Sequence, residues 1–261
     1  MQGQDMSNHP FTILNANGQG DLVLICDHAS NHIPPEYDNL GLEQELLKQH
    51  IAYDIGAAEL TRNLSQIFDA PALLADFSRL LVDVNRTPDS PTLCPQVSDG
   101  IDIPGNQDIN NAELQTRLDR FYHPYHDAAG LLVLKKKQQG RVPLVLGIHS
   151  YTPIMNDTPR PWHAGMLWDK DPRLAMALIE ALENHGYHVG DNEPYSGREL
   201  FYTMDRHGAA HGFPQVTVEI RQDEIDHAQG ISKWTAIMAD VLKEALRHPE
   251  LAIARKYSPQ E

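Results

Sequence analysis

Apolar residues gather in short unbroken runs, and between the runs they recur every third or fourth position. The runs at residues 22–26 (LVLIC), 80–84 (LLVDV), 144–148 (LVLGI) and 215–220 (QVTVEI) are rich in Val, Ile and Leu and end on loop-forming residues. That pattern predicts buried strands. Helix-spaced apolar positions fill residues 42–68 (notably Ile55, Leu60, Leu64 and Ile67), 112–137, 172–184 and 231–246; these predict amphipathic helices. Strands alternating with helices predict an α/β fold with a mostly parallel sheet covered by helices on both faces. Pro and Gly punctuate two long loops, 87–106 and 151–162. No repeat, low-complexity tract or composition shift marks a linker, so residues 1–261 are expected to form a single domain, with 87–106 as a lid or insertion.

Ligands of open α/β sheets bind outside the carboxyl ends of the strands. Those ends are unusually polar here: Asp27, His28, Ser30 and Asn31 follow the first run, and Asp83, Asn85 and Arg86 close the second. His149 and Ser150 follow the third, and Glu219, Arg221 and Gln222 lie at the fourth. His28 and His149 can converge on one ion, because neighbouring parallel strands lie about 4.8 Å apart. A catalytic zinc takes three protein ligands and a water. Asp54, in AYDIGAAEL, is the leading third ligand, with Asn31 and Asp27 as alternatives; capping a helix is the competing role for Asp54. Glu219 sits among apolar neighbours, where a carboxylate is costly unless paired or used. It is expected to act as a general base on water, an ion pair with Arg221 being the alternative. Arg79, Arg86 and Arg221 are candidates to grip a carboxylate with paired hydrogen bonds. Among the 14 histidines, His32, His123, His126, His163, His207 and His211 receive no role.

Composition narrows the partners. A net charge of -15 argues against a nucleic-acid or anionic-membrane footprint, which needs clustered Lys and Arg. The short run at 135–137 is expected to be a solvated helix end. No apolar stretch is long enough to span a bilayer, and the first residues do not read as a secretory signal, so a cytoplasmic location is expected. Two cysteines, Cys26 and Cys94, are expected to be reduced.

CDHASNHIP, YDIGA, SRLLVDVNR, GIHSYTP, NEPYSG and VEIRQD occur in that order, and across residues 22–239 the chain resembles the N-formylglutamate amidohydrolase family. The resemblance implies an α/β fold akin to the zinc-dependent exopeptidases and hydrolysis of N-formyl-L-glutamate to formate and glutamate, a step in histidine breakdown. The same layout is similar to zinc amidases of bacterial cell walls. That likeness implies His28, Asp54 and His149 as ligands of Zn2+ or another divalent metal, and Glu219 as the base. The expected protein is therefore a metal-dependent amidohydrolase acting on a small N-formyl or N-acyl amino acid. Arg79, Asn85, Arg86, Ser150, Tyr195 and Arg221 are expected to contact substrate; Asp27, Ser30 and Asn31 are expected to support His28 or face the pocket. Two alternatives stand beside it: a hydrolase using Cys26 as nucleophile, and a non-catalytic protein binding an amino-acid-like ligand.

Overall fold

The computed structural model describes residues 9–257, so residues 1–8 of the segment read for a signal, and 258–261, lie outside the described residues. Seven strands form the main sheet: β1 (Phe11–Leu14), β2 (Leu22–Cys26), β3 (Ala72–Ala75), β4 (Leu144–Tyr151), β5 (Ala164–Leu167), β6 (Val189–Asp191) and β7 (Gln215–Arg221). Their order is β1-β3-β2-β4-β7-β5-β6. The central strands β3, β2, β4 and β7 are parallel. β1 joins β3, and β5 joins β7, in antiparallel pairing.

Because side chains alternate across a strand, each central strand feeds two cores. Leu22, Leu24 and Cys26 of β2, Leu144, Leu146 and Ile148 of β4, and Val216, Val218 and Ile220 of β7 face one side. They pack there against α1 (Ala57–Ile67), α4 (Arg173–Asn184) and α5 (Ala228–Ala245), separated in the chain by α2 (Asn111–Arg117) and α3 (His123–Gln138) on the opposite side. Val23, Ile25 and Val145 face that opposite side, against Tyr125, Ala129 and Val133 of α3. Each fully buried Leu, Ile or Val contributes about 1.5–3 kcal/mol relative to exposure. The expected two-sided α/β architecture is the observed one. Among the described residues no helix is long and apolar enough to cross a membrane.

Two elements differ from the sequence expectation. Residues 80–84 are buried but form no strand; the strand beside β2 is Ala72–Ala75 instead. The buried backbone at 80–84 is satisfied without a ladder. Asn106 Nδ2 donates to the Leu80 carbonyl at 2.8 Å, Arg117 Nη1 donates to that of Leu81 at 3.0 Å, and Asp83 N donates to Leu93 O at 2.7 Å. The helix expected over 42–68 is confined to α1 and a 3₁₀ turn at Leu46–Lys48. Gly56 begins α1 with φ of 80°, in the left-handed region, and a Cβ there would stand 2.2 Å from Ile225 O. Only glycine fits this bend, and the bend carries Asp54 toward the sheet end.

Residues 87–106 are anchored to the body of the protein. Leu93, Ile103 and Asn106 are buried, a small ribbon pairs Val97–Ser98 with Ile101–Asp102, and His50 Nε2 lies 3.1 Å from Asp99 Oδ2.

Candidate metal centre

Four side chains meet at the carboxyl ends of β2, β4 and β7. His28 follows β2, His149 lies near the end of β4, and Glu219 stands beside His149 in the β4–β7 register. Both face away from Ile148 and Ile220, so they share one side of the sheet. Asp54 joins them from the bend before α1, where its N–H donates to the His28 carbonyl at 2.9 Å. The N-cap of α1 is Gly56, with no side-chain capping bond, so Asp54 does not serve as the cap. Its carboxylate instead faces the two imidazoles: Oδ2 lies 3.3 Å from His28 Nδ1 and 2.8 Å from His149 Nδ1.

A second rank of charges stands behind these groups. His28 Nε2 bonds Asp83 Oδ1 at 2.8 Å, which leaves Nδ1 to face Asp54. His149 Nε2 lies 3.3 Å from Asp27 Oδ2, an ion-pair distance without hydrogen-bond alignment, so neither atom has a hydrogen-bond partner among the described residues. Tyr125 donates its hydroxyl to Asp27 Oδ1 at 2.9 Å. Arg79 joins the two ranks, with Nη2 at 2.9 Å from Asp83 Oδ2 and Nη1 at 3.5 Å from Asp54 Oδ1. Burial opposes ionisation of Asp54, yet the two histidines hold its carboxyl far below the usual range. Asp83 is likewise held low against burial by His28, Arg79 and Arg86.

This donor set fits one divalent cation. The candidate ligand atoms of His28, Asp54 and His149 all lie within 4.8 Å of one another, and all three residues are buried. Ligands about 2.0 Å from a tetrahedral ion stand about 3.3 Å apart, close to the separations here. A carboxylate behind each histidine is the usual support for a metal-facing imidazole. Acid outweighs base as well: the buried Asp27, Asp54, Asp83 and Glu219 gather beside the two imidazoles, with the half-buried Arg79 paired to Asp54 and Asp83 and Arg86 near Asp83.

Glu219 is buried, and its Oε2 has no hydrogen-bond partner among the described residues. Burial pushes its carboxyl up to about 7, with His149 pulling it down and Asp54 pushing it up. The adjoining cavity, about 150 Å³, is lined by residues that include Arg79, Asn85, Arg86, Ser150 and Tyr195. Ser150 Oγ donates to Ile55 O at 2.8 Å and receives Gln222 Nε2 at 3.4 Å; Asn85 Oδ1 accepts from Thr203 N at 3.2 Å.

Four expected placements differ. Asp27 stands behind His149 rather than His28, and Asp83, to which the sequence assigned no role, stands behind His28. Ser30 accepts from His32 N, and Asn31 donates to Leu47 O at 2.8 Å, so both are tied into their own loop. Arg221 does not line the cavity; it pairs with Asp223 and donates to the carbonyls of Arg160, Pro161 and Trp162. Cys26 faces the core on the other side of the sheet, and burial holds its thiol well above the usual value, so it is not a nucleophile for this cavity. The DxNR spacing of Asp83, Asn85 and Arg86 was the available signal for Asp83: one buried acid beside two pocket residues.

His126 and His207 form a buried pair behind Asn85 and Arg86. His126 Nε2 lies 2.9 Å from Val84 O, and its Nδ1 lies 3.0 Å from His207 Nε2. A carbonyl only accepts, so His126 Nε2 donates there and His207 Nε2 donates to His126 Nδ1. Burial lowers both from 6.5, to about 3 for His126 and about 4 for His207. The unfolded chain therefore binds more protons than the folded one below pH about 6.5. Stability from this pair is expected to be full above pH 6.5 and to fall as pH drops toward 4. Thermal midpoints of His126→Asn across that range should fall less steeply than those of the unsubstituted protein; equal slopes would remove the pair from acid unfolding.

No curated protein matches the chain. The crystal structure of a gene product of Agrobacterium tumefaciens is similar to it at 35% identity and a TM-score of 0.89, covering 91% of this chain and 95% of that one. N-formylglutamate amidohydrolase from Ralstonia eutropha JMP134 shares the fold, with a TM-score of 0.61 at 20% identity over 91% of this chain and 97% of that one. The family described as N-formylglutamate amidohydrolase matches residues 20–225, the span that carries His28, Asp54, His149 and Glu219. The chain thus belongs to the N-formylglutamate amidohydrolase family, hydrolases of amide C–N bonds.

Proposed function

We propose that the protein is a metal-dependent amidohydrolase that releases an amino acid from its N-formyl or N-acyl form, N-formylglutamate or a close relative being the substrate. The observation that carries this reading is the convergence of His28, Asp54 and His149 beside a buried, unpartnered Glu219. Those three residues would hold Zn2+ or another divalent cation. Such a cation supplies a Lewis acid that polarises the scissile carbonyl and acidifies the attacking water.

The chain's own groups do the rest. Glu219 Oε2 takes the proton of the attacking water and returns it to the nitrogen of the departing amino acid. A carboxyl pushed up to about 7 suits both transfers near neutral pH. Arg86 and Arg79 present guanidinium charge to substrate carboxylates, while Asn85 and Ser150 orient the amide. A cavity of about 150 Å³ favours a small substrate. One domain, with residues 87–106 as an insertion, agrees with two cores that share a single sheet. A reducing, cytoplasmic setting agrees with the free cysteines Cys26 and Cys94.

The test is a panel of N-formyl and N-acyl amino acids assayed with chelator and with zinc or another divalent ion restored. Turnover of acidic N-formyl amino acids is expected, lost on chelation and regained on metal addition. Equal rates on glutamate and neutral derivatives would contradict the role of the arginines, and tight binding without turnover would favour the non-catalytic reading.

A further inference from the structure

Tyr195 lines the cavity from the loop after β6, and its hydroxyl is already committed on one side. Arg160, in the loop between β4 and β5, donates Nη1–H to the Tyr195 oxygen at 2.9 Å. Its guanidinium carbon lies 4.8 Å from the centre of the Tyr195 ring and 5.7 Å from that of Tyr151. A guanidinium has no acceptor, so the phenol must accept there and its own proton must point elsewhere. No described residue takes that proton. Accepting a charged hydrogen bond also polarises the hydroxyl and makes it a stronger donor.

Arg160 does not line the cavity, so it acts on the cavity through Tyr195. The structure holds it firmly. Its backbone N–H donates to Pro153 O at 2.8 Å, and Nη1 also lies 3.3 Å from Thr152 Oγ1. Its carbonyl accepts from Arg221 Nη1 at 3.3 Å, while Arg221 Nε is braced by Asp223 Oδ1 at 2.7 Å. Arg221, expected from sequence to touch substrate, instead clamps the loop that presents Arg160. Burial first, and the Glu219 charge second, raise the Tyr195 hydroxyl above its usual value, which keeps it a neutral donor.

We propose that Tyr195 donates a hydrogen bond to an anionic oxygen of the substrate, and that Arg160 is the positioning residue that aims it. The oxygen belongs either to the oxyanion developing at the scissile carbonyl or to a carboxylate of the amino acid. This inference rests on the amide-hydrolase reading above.

Steady-state kinetics of Tyr195→Phe, Arg160→Met and the double variant test it, with thermal midpoint and metal stoichiometry as checks on folding. Tyr195→Phe is expected to lower kcat/KM by about 10²–10³, the usual loss of one oxyanion donor. A loss in kcat identifies the oxyanion, and a rise in KM identifies the carboxylate. Arg160→Met should produce a loss of the same kind and cost less than about twofold more in the Tyr195→Phe background, because coupled residues are non-additive. Should Arg160→Met fail to fold, Arg160→Lys, which keeps a cationic donor, carries the same comparison with a smaller loss. Unchanged kcat and KM in Tyr195→Phe, or an Arg160 effect of full size in the Tyr195→Phe background, would overturn the proposal. If the unsubstituted protein turns over no N-acyl amino acid, the amide-hydrolase reading fails separately, and calorimetric binding of L-glutamate decides this one. Weaker, non-additive binding in the variants supports it, and equal affinities overturn it.

Discussion

Glu219→Gln is expected to lower kcat by about 10²–10⁴, the range for losing a general base, with divalent-metal stoichiometry unchanged. The amide has the size of the carboxylate but cannot take a proton from water. Glu219 is paired in register with His149, so its carboxylate is delivered to the metal-binding face by the sheet rather than by a flexible loop. Because Oε2 has no partner among the described residues, the substitution breaks no protein hydrogen bond at that atom. Burial disfavours the charged form, so the neutral amide should leave the thermal midpoint unchanged or raise it at pH 8, above the value of about 7. Kinetics and metal analysis on the same preparation check both halves. A variant keeping more than a tenth of the kcat would remove Glu219 from the proton transfers.

Asp54→Asn is expected to abolish tight divalent-metal binding, and turnover with it. Asp54 Oδ2 is the atom that both Nδ1 nitrogens approach, at 3.3 and 2.8 Å, and the histidines hold its carboxyl ionised against burial. An amide supplies no charge and is a poor ligand for zinc. Asp83→Asn sets the scale for a lesser change, since losing the carboxylate behind a ligand histidine costs about 10–100-fold in metal affinity. Competition with a chromophoric chelator would order the proteins as unsubstituted, Asp83→Asn, then Asp54→Asn. Affinity of Asp54→Asn within threefold of the unsubstituted protein would move the third ligand elsewhere.

The local pattern of the chain carried much of this architecture. LVLIC, LVLGI and QVTVEI are continuous apolar runs whose burial on both faces can be read without coordinates, and they are β2 and most of β4 and β7. LLVDV has the same appearance, yet its backbone is satisfied by Asn106, Arg117 and Leu93, residues distant in sequence, so no local signal separates it from a strand. ALLA, the strand that stands there instead, is four residues of good helix formers. Its strand pairing comes from β2 and β1 on either side.

The site divides in the same way. Strand ends and residue chemistry alone named His28, His149 and Glu219 and made Asp54 the leading partner, because a histidine or glutamate at the end of a buried run has few inexpensive structural roles. Which carboxylate stands behind which histidine followed only from the chain's three-dimensional path: Asp83 reaches His28 and Asp27 reaches His149, although Asp27 is His28's neighbour in sequence. The reason is geometric, since adjacent residues leaving a strand point to different sides while a residue from another loop can face the ring directly. Likewise, charge and spacing marked Arg221 as a substrate contact, but its guanidinium turns to three loop carbonyls, and the loop it secures presents Arg160 to Tyr195. Sequence determined the kinds of groups that collect at the sheet's edge; tertiary packing decided their partners, because hydrogen-bond direction depends on distances between segments that the order of residues does not encode.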